Sequence, residues 1–84
     1  MLHQFTYTIQ DASGIHARPA GLLVRKAQEY SDEITLICGE KRANLKKLLA
    51  VMGLGVRCGD TVTVTVEGEK ETADALEAFF KEHL

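Results

Sequence analysis

Residues 61–66 read Thr-Val-Thr-Val-Thr-Val, an alternation of polar and apolar β-branched side chains without a break. Successive side chains of a β-strand point to opposite faces, so this segment predicts a strand with valines on one face and threonines on the other. The valine face needs a covering layer, whereas the threonine face tolerates water. The segment therefore predicts a sheet that helices cover on one side only.

Two earlier segments show the same period of two and are also predicted as strands. Their apolar faces are formed by Phe5, Tyr7 and Ile9 in the first segment and by Ile34, Leu36 and Cys38 in the second. A tight turn at Gly39-Glu40 leads into a short strand around residues 41–43. The sheet is therefore expected to have four strands, antiparallel or nearly so.

Three segments carry apolar residues at helical spacing. The first begins at Ala17 and ends at about Glu29, the second begins with Asn44 as its cap and ends at Gly53, and the third follows Gly68. The faces predicted for these helices are Ala20, Leu23, Val24 and Ala27, then Leu45, Leu48, Leu49 and Met52, and finally Ala73, Leu76 and Phe80. The order β-α-β-β-α-β-α predicts an α+β fold, an open-faced β-sandwich whose four-stranded antiparallel sheet is covered on one face by three helices.

The 84 residues show no repeat, linker or low-complexity stretch, so residues 1–84 are expected to form a single domain. No apolar run approaches the roughly 20 residues that cross a bilayer, and the N-terminal residues do not resemble a secretory signal. We therefore expect a cytoplasmic protein that does not insert into membranes. Cys38 and Cys58 are expected to be reduced thiols.

The charge balance and the residue types argue against several ligands. Ten basic and twelve acidic side chains give a net charge of −2, which does not favour a nucleic-acid binder. RNA recognition would need aromatic side chains on the open sheet face, but the pattern places threonines there. Three scattered histidines and two distant cysteines show no metal-ligand spacing, so no metal and no cofactor are predicted.

The segment that contains the candidate reactive residues reads Ser13-Gly14-Ile15-His16-Ala17-Arg18-Pro19-Ala20. A glycine turn precedes His16, and Pro19 fits the first turn of a helix, where an N–H has no intrahelical partner. The amides of Ala17 and Arg18 are then free donors at the positive helix end, and the Arg18 guanidinium suits phosphate oxygens. These charges favour the neutral, nucleophilic ring of His16. A histidine at a helix start is often only a cap, so the tetrapeptide from His16 to Pro19 alone is a weak signal.

The run from Gly14 to Ala20 resembles the active-site signature of HPr, the histidine-containing phosphocarrier family of the bacterial phosphoenolpyruvate-dependent sugar phosphotransferase system. The similarity continues through residues 44–46 and 51–56, and it extends to length and element order. The resemblance implies that Nδ1 of His16 accepts a phosphoryl group from phosphorylated Enzyme I and donates it to IIA domains of sugar permeases. Arg18 would assist the transfer, and Ser13 would line the phosphate site with the Ala17 and Arg18 amides.

The resemblance also implies a partner face around the first two helices. Its predicted members are Gly21, Arg25, Lys47, Leu48, Leu49 and Met52. At helical spacing some of these apolar residues are expected to be core, with Leu49 and Met52 divided between core and surface. Many Gram-positive members of the family carry a kinase-regulated serine where this chain has Lys47, so that regulatory switch is expected to be absent. Lys47 would then aid docking to acidic partners or be a solvated surface residue.

Two other functions remain open from the sequence. One is a related carrier in a nitrogen-regulatory or dihydroxyacetone-kinase phosphorelay, which partner profiling against different acceptors would separate. The other is a regulatory binding module without turnover, against which His16 argues. A monomer is the natural form of a diffusing carrier.

Overall fold

The computed structural model describes residues 1–84, and its elements follow the predicted order. They are β1 (Leu2–Thr8), α1 (Ala17–Gln28), β2 (Glu33–Cys38), β3 (Lys41–Asn44), α2 (Leu48–Gly53), β4 (Thr61–Glu67) and α3 (Lys70–His83). The four strands form one sheet in the order β1-β4-β2-β3, and every neighbouring pair is antiparallel. The predicted α+β architecture is confirmed.

The central strand β4 divides its side chains between core and solvent as the alternation predicts. Val62, Val64 and Val66 are fully buried, because they face the helices. The threonines point to the open face, where the hydroxyls of Thr8 and Thr61 lie 2.9 Å apart. The alternating pattern therefore fixes both the sheet and the side on which the helices pack.

The aromatic residues of β1 lie on the covered face of the sheet. Phe5 and Tyr7 meet the ring of Phe80 on α3 edge to face, with ring centroids 5.6 and 5.7 Å apart. Edge-to-face packing at this distance is a favoured arrangement for buried rings. The open face consequently offers no aromatic platform of the kind on which RNA bases stack.

The second helix differs from the prediction. Asn44 ends β3 and does not cap α2, because its side-chain Oδ1 accepts the N–H of Lys46 at 2.9 Å and stabilises a turn. The helix begins at Leu48, so Leu45 is buried in the turn that precedes it. Val51 is the buried residue of α2, whereas Leu49 is 85% exposed and Met52 is 39% exposed. The predicted apolar face of this helix was therefore wrong, and neither Leu49 nor Met52 belongs to the core.

None of the three helices combines the length and the apolarity that a membrane crossing requires.

Candidate functional site

His16 lies at the junction between the β1–α1 loop and the first turn of α1. Its backbone is extended, with φ −95° and ψ −178°, and its carbonyl accepts the N–H of Ala20, so it is the N-cap residue. The side chain makes no capping hydrogen bond and is 44% exposed. The imidazole makes no hydrogen bond within the chain, and solvent can reach it.

The first turn of α1 presents free hydrogen-bond donors beside His16. The amides of Ala17 and Arg18 donate to no acceptor in the chain, and Pro19 has no amide hydrogen. No acidic residue lies in this turn to neutralise the positive helix end, and the Arg18 side chain is exposed. Two aligned amides and a guanidinium form a favourable environment for a phosphate group.

The loop before His16 is held by its own hydrogen bonds. The main-chain oxygen of Asp11 accepts the N–H of Gly14 at 2.9 Å, and the Asp11 carboxylate accepts the N–H of Ser13 at 2.8 Å. Gly14 completes the turn with a φ of +66°, a left-handed conformation that glycine adopts without strain. Ser13 is exposed on this turn, on the chain just before His16.

A second loop, residues 54–60, packs against the loop that precedes His16. The N–H of Ile15 donates to the carbonyl of Val56 at 3.1 Å, and both side chains are buried. A Cβ added to Gly14 would lie only 2.3 Å from that carbonyl oxygen and 2.8 Å from Cα of Arg57. This close approach of two backbones sets the position of the segment that carries His16.

Sequence reasoning missed two contributors to this site. Asp11 places a carboxylate oxygen 4.0 Å from Nε2 of His16, although its position in the sequence indicated only a turn. The Val56 carbonyl is the other contributor, and a main-chain acceptor cannot be predicted from the pattern of side chains in the sequence. The signal available in advance was local: an aspartate two residues before a serine favours a side-chain-to-backbone turn.

The predicted partner residues fall into two groups around α1 and α2. A shallow groove between these helices is lined by Arg18, Gly21, Leu22, Val24, Arg25, Gln28 and Leu48. Arg18 belongs both to this groove and to the first turn beside His16, so the two features are continuous. The second group, Lys47, Leu49 and Met52, is exposed but does not line the groove.

Leu22 is an exposed apolar residue that sequence reasoning did not single out. It is 44% exposed and lines the groove with Leu48, which is 40% exposed. Leu22 lies outside the helical stripe predicted to be buried, and that position was itself the available signal. Leu22, Leu48, Leu49 and Met52 account for four of the six exposed large apolar side chains of the chain, and we refer to them as the α1–α2 apolar patch.

The remaining candidate ligands do not assemble into a metal centre. No group of three or more histidine, cysteine, aspartate or glutamate side chains lies close enough to hold a metal ion. Cys58 is exposed in the 54–60 loop, with its thiol 3.7 Å from the Gln10 carbonyl, and Cys38 is half-buried.

Comparisons of the sequence and of the fold with known proteins indicate the same family. The family model for the phosphorylation site of the PTS HPr component matches residues 3–82. Phosphocarrier protein HPr of Lysinibacillus sphaericus is 49% identical over 65 residues, which cover 77% of this chain and 74% of that protein. HPr of Bacillus anthracis str. Ames has the same fold, with a TM-score of 0.87 and 30% identity, over 94% of this chain and 96% of that one.

A further structural neighbour is Crh, the catabolite repression protein of Bacillus subtilis, whose crystal structure is a domain-swapped dimer. Its TM-score is 0.76 at 30% identity, covering 93% of this chain and 92% of that one. The family model spans nearly the whole chain, and HPr proteins match it in sequence and in fold. The chain therefore belongs to the PTS HPr family, the phosphocarrier proteins of the phosphotransferase system.

Proposed function

We propose that this chain accepts a phosphoryl group on His16 from phosphorylated Enzyme I and passes it to the IIA domains of sugar permeases. The observation that carries the proposal is the half-exposed imidazole at the N-terminus of α1, next to two amides without an acceptor. Membership of the HPr family supports this class of donor and acceptor, because the family belongs to the phosphotransferase system. Both partners would meet the carrier, as a monomer, in the cytoplasm.

The site suits a group that must be held briefly and then released. A phosphoryl group on His16 would lie beside the Ala17 and Arg18 amides, the Arg18 guanidinium and the Ser13 hydroxyl. Each hydrogen bond to an exposed charged group contributes modestly, because water competes for the same donors. The donors would stabilise the phosphorylated form without burying it, and an acceptor domain would still reach the phosphorus atom.

Docking would use the α1–α2 apolar patch and the groove next to it. The exposed side chains of Leu48, Leu49 and Met52 provide apolar contact area, whereas Arg18 and Arg25 provide charges that attract acidic partner surfaces. Lys47 would add a third positive charge at the start of α2. Arg18, in the first turn beside His16, lines the same groove as Leu22 and Leu48 of the patch, so one docked partner would cover both surfaces.

The test is phosphorylation by phosphoenolpyruvate and a purified Enzyme I, followed by intact mass and then by incubation with a panel of IIA domains. We expect one phosphoryl adduct that is labile in acid, stable in base and absent in His16→Ala. His3→Ala is the matched control, because His3 lies on β1 and should leave the adduct unchanged. An unmodified wild-type chain with several Enzyme I proteins, or an adduct that persists in His16→Ala, would refute the proposal.

The panel of acceptors gives the second half of the test. Transfer to at least one sugar-specific IIA domain supports the proposed branch of the phosphotransferase system. Transfer only to acceptors of a nitrogen-regulatory or dihydroxyacetone-kinase relay would refute it and would reassign the carrier.

A further inference from the structure

We propose that Asp11 is a positioning residue for phosphoryl transfer: its carboxylate keeps the imidazole proton on Nε2 of His16, so that Nδ1 takes up and releases the phosphoryl group. The inference rests on the proposed carrier role of His16 and adds a residue to it. Asp11 precedes the segment that resembles the HPr signature, and nothing in that resemblance gives it a role.

The geometry places a fixed carboxylate at one edge of the ring. Oδ1 of Asp11 lies 4.0 Å from Nε2 of His16, with the two side chains 32% and 44% exposed. The aspartate is held by three hydrogen bonds: its carboxylate accepts the Ser13 N–H, its main-chain oxygen accepts the Gly14 N–H, and its own N–H donates to the Leu84 oxygen. The separation exceeds the length of a charge-assisted hydrogen bond by about 1 Å, so the proposed contact requires the half-exposed ring to rotate toward Asp11.

Asp11 is the acidic residue whose carboxylate lies near the His16 ring. No other carboxylate lies within 4.0 Å of a ring nitrogen of His16. The adjoining segments carry Arg18 at the start of α1 and Arg57 in the 54–60 loop, both basic. Asp60, the acidic residue of that loop, uses its carboxylate to accept the N–H of Arg57 at 2.9 Å.

The chemistry follows from the position of one proton. In a neutral imidazole, one nitrogen carries the proton and the other has the free electron pair, and the hydrogen-bond partner of the first fixes the arrangement. A carboxylate beside Nε2 therefore leaves the electron pair on Nδ1. When Nδ1 attacks phosphorus, the bond from phosphorus to the donor breaks and its electron pair leaves with the donor.

The phosphorylated ring still carries the Nε2 proton and is therefore a cation, which the Asp11 carboxylate stabilises. In the onward transfer the acceptor attacks phosphorus, and the electron pair of the P–N bond returns to Nδ1. The ring is then neutral again, and no proton has moved in either step. Asp11 thus maintains the protonated phosphohistidine, which is the better phosphoryl donor because its leaving group is a neutral imidazole.

The test compares Asp11→Asn with wild type and with Asp60→Asn. Asparagine keeps a side-chain oxygen for the Ser13 N–H and preserves the turn, but it removes the charge. Asp60→Asn removes the same charge from the neighbouring loop and serves as the control. The phosphorylated proteins are titrated by ³¹P NMR, and the ring nitrogens of the unphosphorylated proteins are observed by ¹⁵N NMR at alkaline pH.

We expect Asp11→Asn to lower the ³¹P titration midpoint by about 0.5 pH unit, because a single charge near 4 Å acts weakly at a solvated site. Above the midpoint, onward transfer to an acceptor should slow by about threefold, and the Nε2-protonated form of the free ring should decrease. Asp60→Asn should change none of the three. Equal midpoints in Asp11→Asn and wild type, or an equal shift in Asp60→Asn, would overturn the inference.

The two proposals fail in different ways. If wild type takes no phosphoryl group on His16, the carrier role fails. If wild type is phosphorylated and Asp11→Asn leaves both the ³¹P midpoint and the ¹⁵N spectrum unchanged, only the role of Asp11 fails.

Discussion

Replacing Gly14 by alanine should cost far more stability than the same change at another glycine with the same backbone angle. Gly14 has a φ of +66° and Gly39 a φ of +63°, so an alanine at either site is strained by a similar amount, about 1 kcal/mol. The surroundings differ. A Cβ at Gly39 meets nothing within 4 Å, whereas a Cβ at Gly14 lies 2.3 Å from the Val56 carbonyl oxygen.

The steric part of the cost can be worked out from that contact. Because carbon and oxygen atoms do not approach closely without repulsion, the two loops must separate by about 1 Å. That movement breaks the hydrogen bond from the Ile15 N–H to the Val56 carbonyl, worth about 1 kcal/mol, and loosens the packing of the two buried side chains. We therefore expect a loss of about 3 kcal/mol in Gly14→Ala and about 1 kcal/mol in Gly39→Ala.

The assay is urea unfolding followed by circular dichroism, together with thermal melts. A difference of about 2 kcal/mol corresponds to roughly 10 °C in Tm for a domain of this size. Gly14→Ala should also slow the phosphorylation of His16, because the same movement displaces the start of α1, whereas Gly39→Ala should not. Equal losses of stability in the two variants would refute the argument that the backbone approach positions the site.

Three further outcomes are expected. Lys47→Ser should raise the free energy of unfolding by about 1 kcal/mol in urea titrations, because α2 has no side-chain cap and a serine hydroxyl supplies one; no gain would contradict this. Leu49→Ala should change the free energy of unfolding by less than about 0.5 kcal/mol but weaken binding to a IIA domain in NMR titrations. Val51→Ala should lower the free energy of unfolding by about 2 kcal/mol, and a larger loss of stability in Leu49→Ala than in Val51→Ala would be inconsistent with the burial of the two residues. The pKa of Asp32 is lowered below its ordinary value of 3.8, because its carboxylate accepts the N–H of Glu69. The charged carboxylate therefore stabilises the fold at pH values above 3.8, and this stabilisation is lost as the pH falls through the lowered pKa. Asp32→Ala should therefore be less stable than wild type in urea near pH 7, with the gap closing in strong acid; a gap that does not change with pH would contradict this.

The parts of the fold that depend on repeating patterns were predictable. The alternation in β4 and the helical spacing in α1 and α3 each involve several residues, so packing on one face and the local backbone preference agree. The boundaries of α1 were predicted within one or two residues, and the threonine face was assigned correctly. Patterns of this length are reliable because a single local contact cannot overturn them.

The start of α2 was not predictable in the same way. Asn44 satisfies the requirements of a helix cap and of a turn equally well. In the structure its side chain accepts the N–H of Lys46 in a turn, and the Lys46 side chain donates to the carbonyl of Tyr30. Such a contact lies 16 residues away in sequence and has no local signal. The site shows the same difference. His16 and Arg18 are evident in the sequence, whereas the sequence around Asp11 indicates a turn but not that its carboxylate lies near His16, and the Val56 carbonyl reaches the site only through the folded loops.

The two free amides at the start of α1 have a consequence for how this site can be altered by mutation. A main-chain N–H is present whatever side chain the residue carries, so substitutions at Ala17 leave its amide donor intact unless the new residue is proline. A scan of single substitutions would therefore detect the side chains of Ser13, His16 and Arg18. It would overlook two of the four donors that we propose for the phosphate, the amides of Ala17 and Arg18. For the same reason, the two amides require no particular side chain, and a chain that is only 30% identical could present them provided that its helix begins at the same residue.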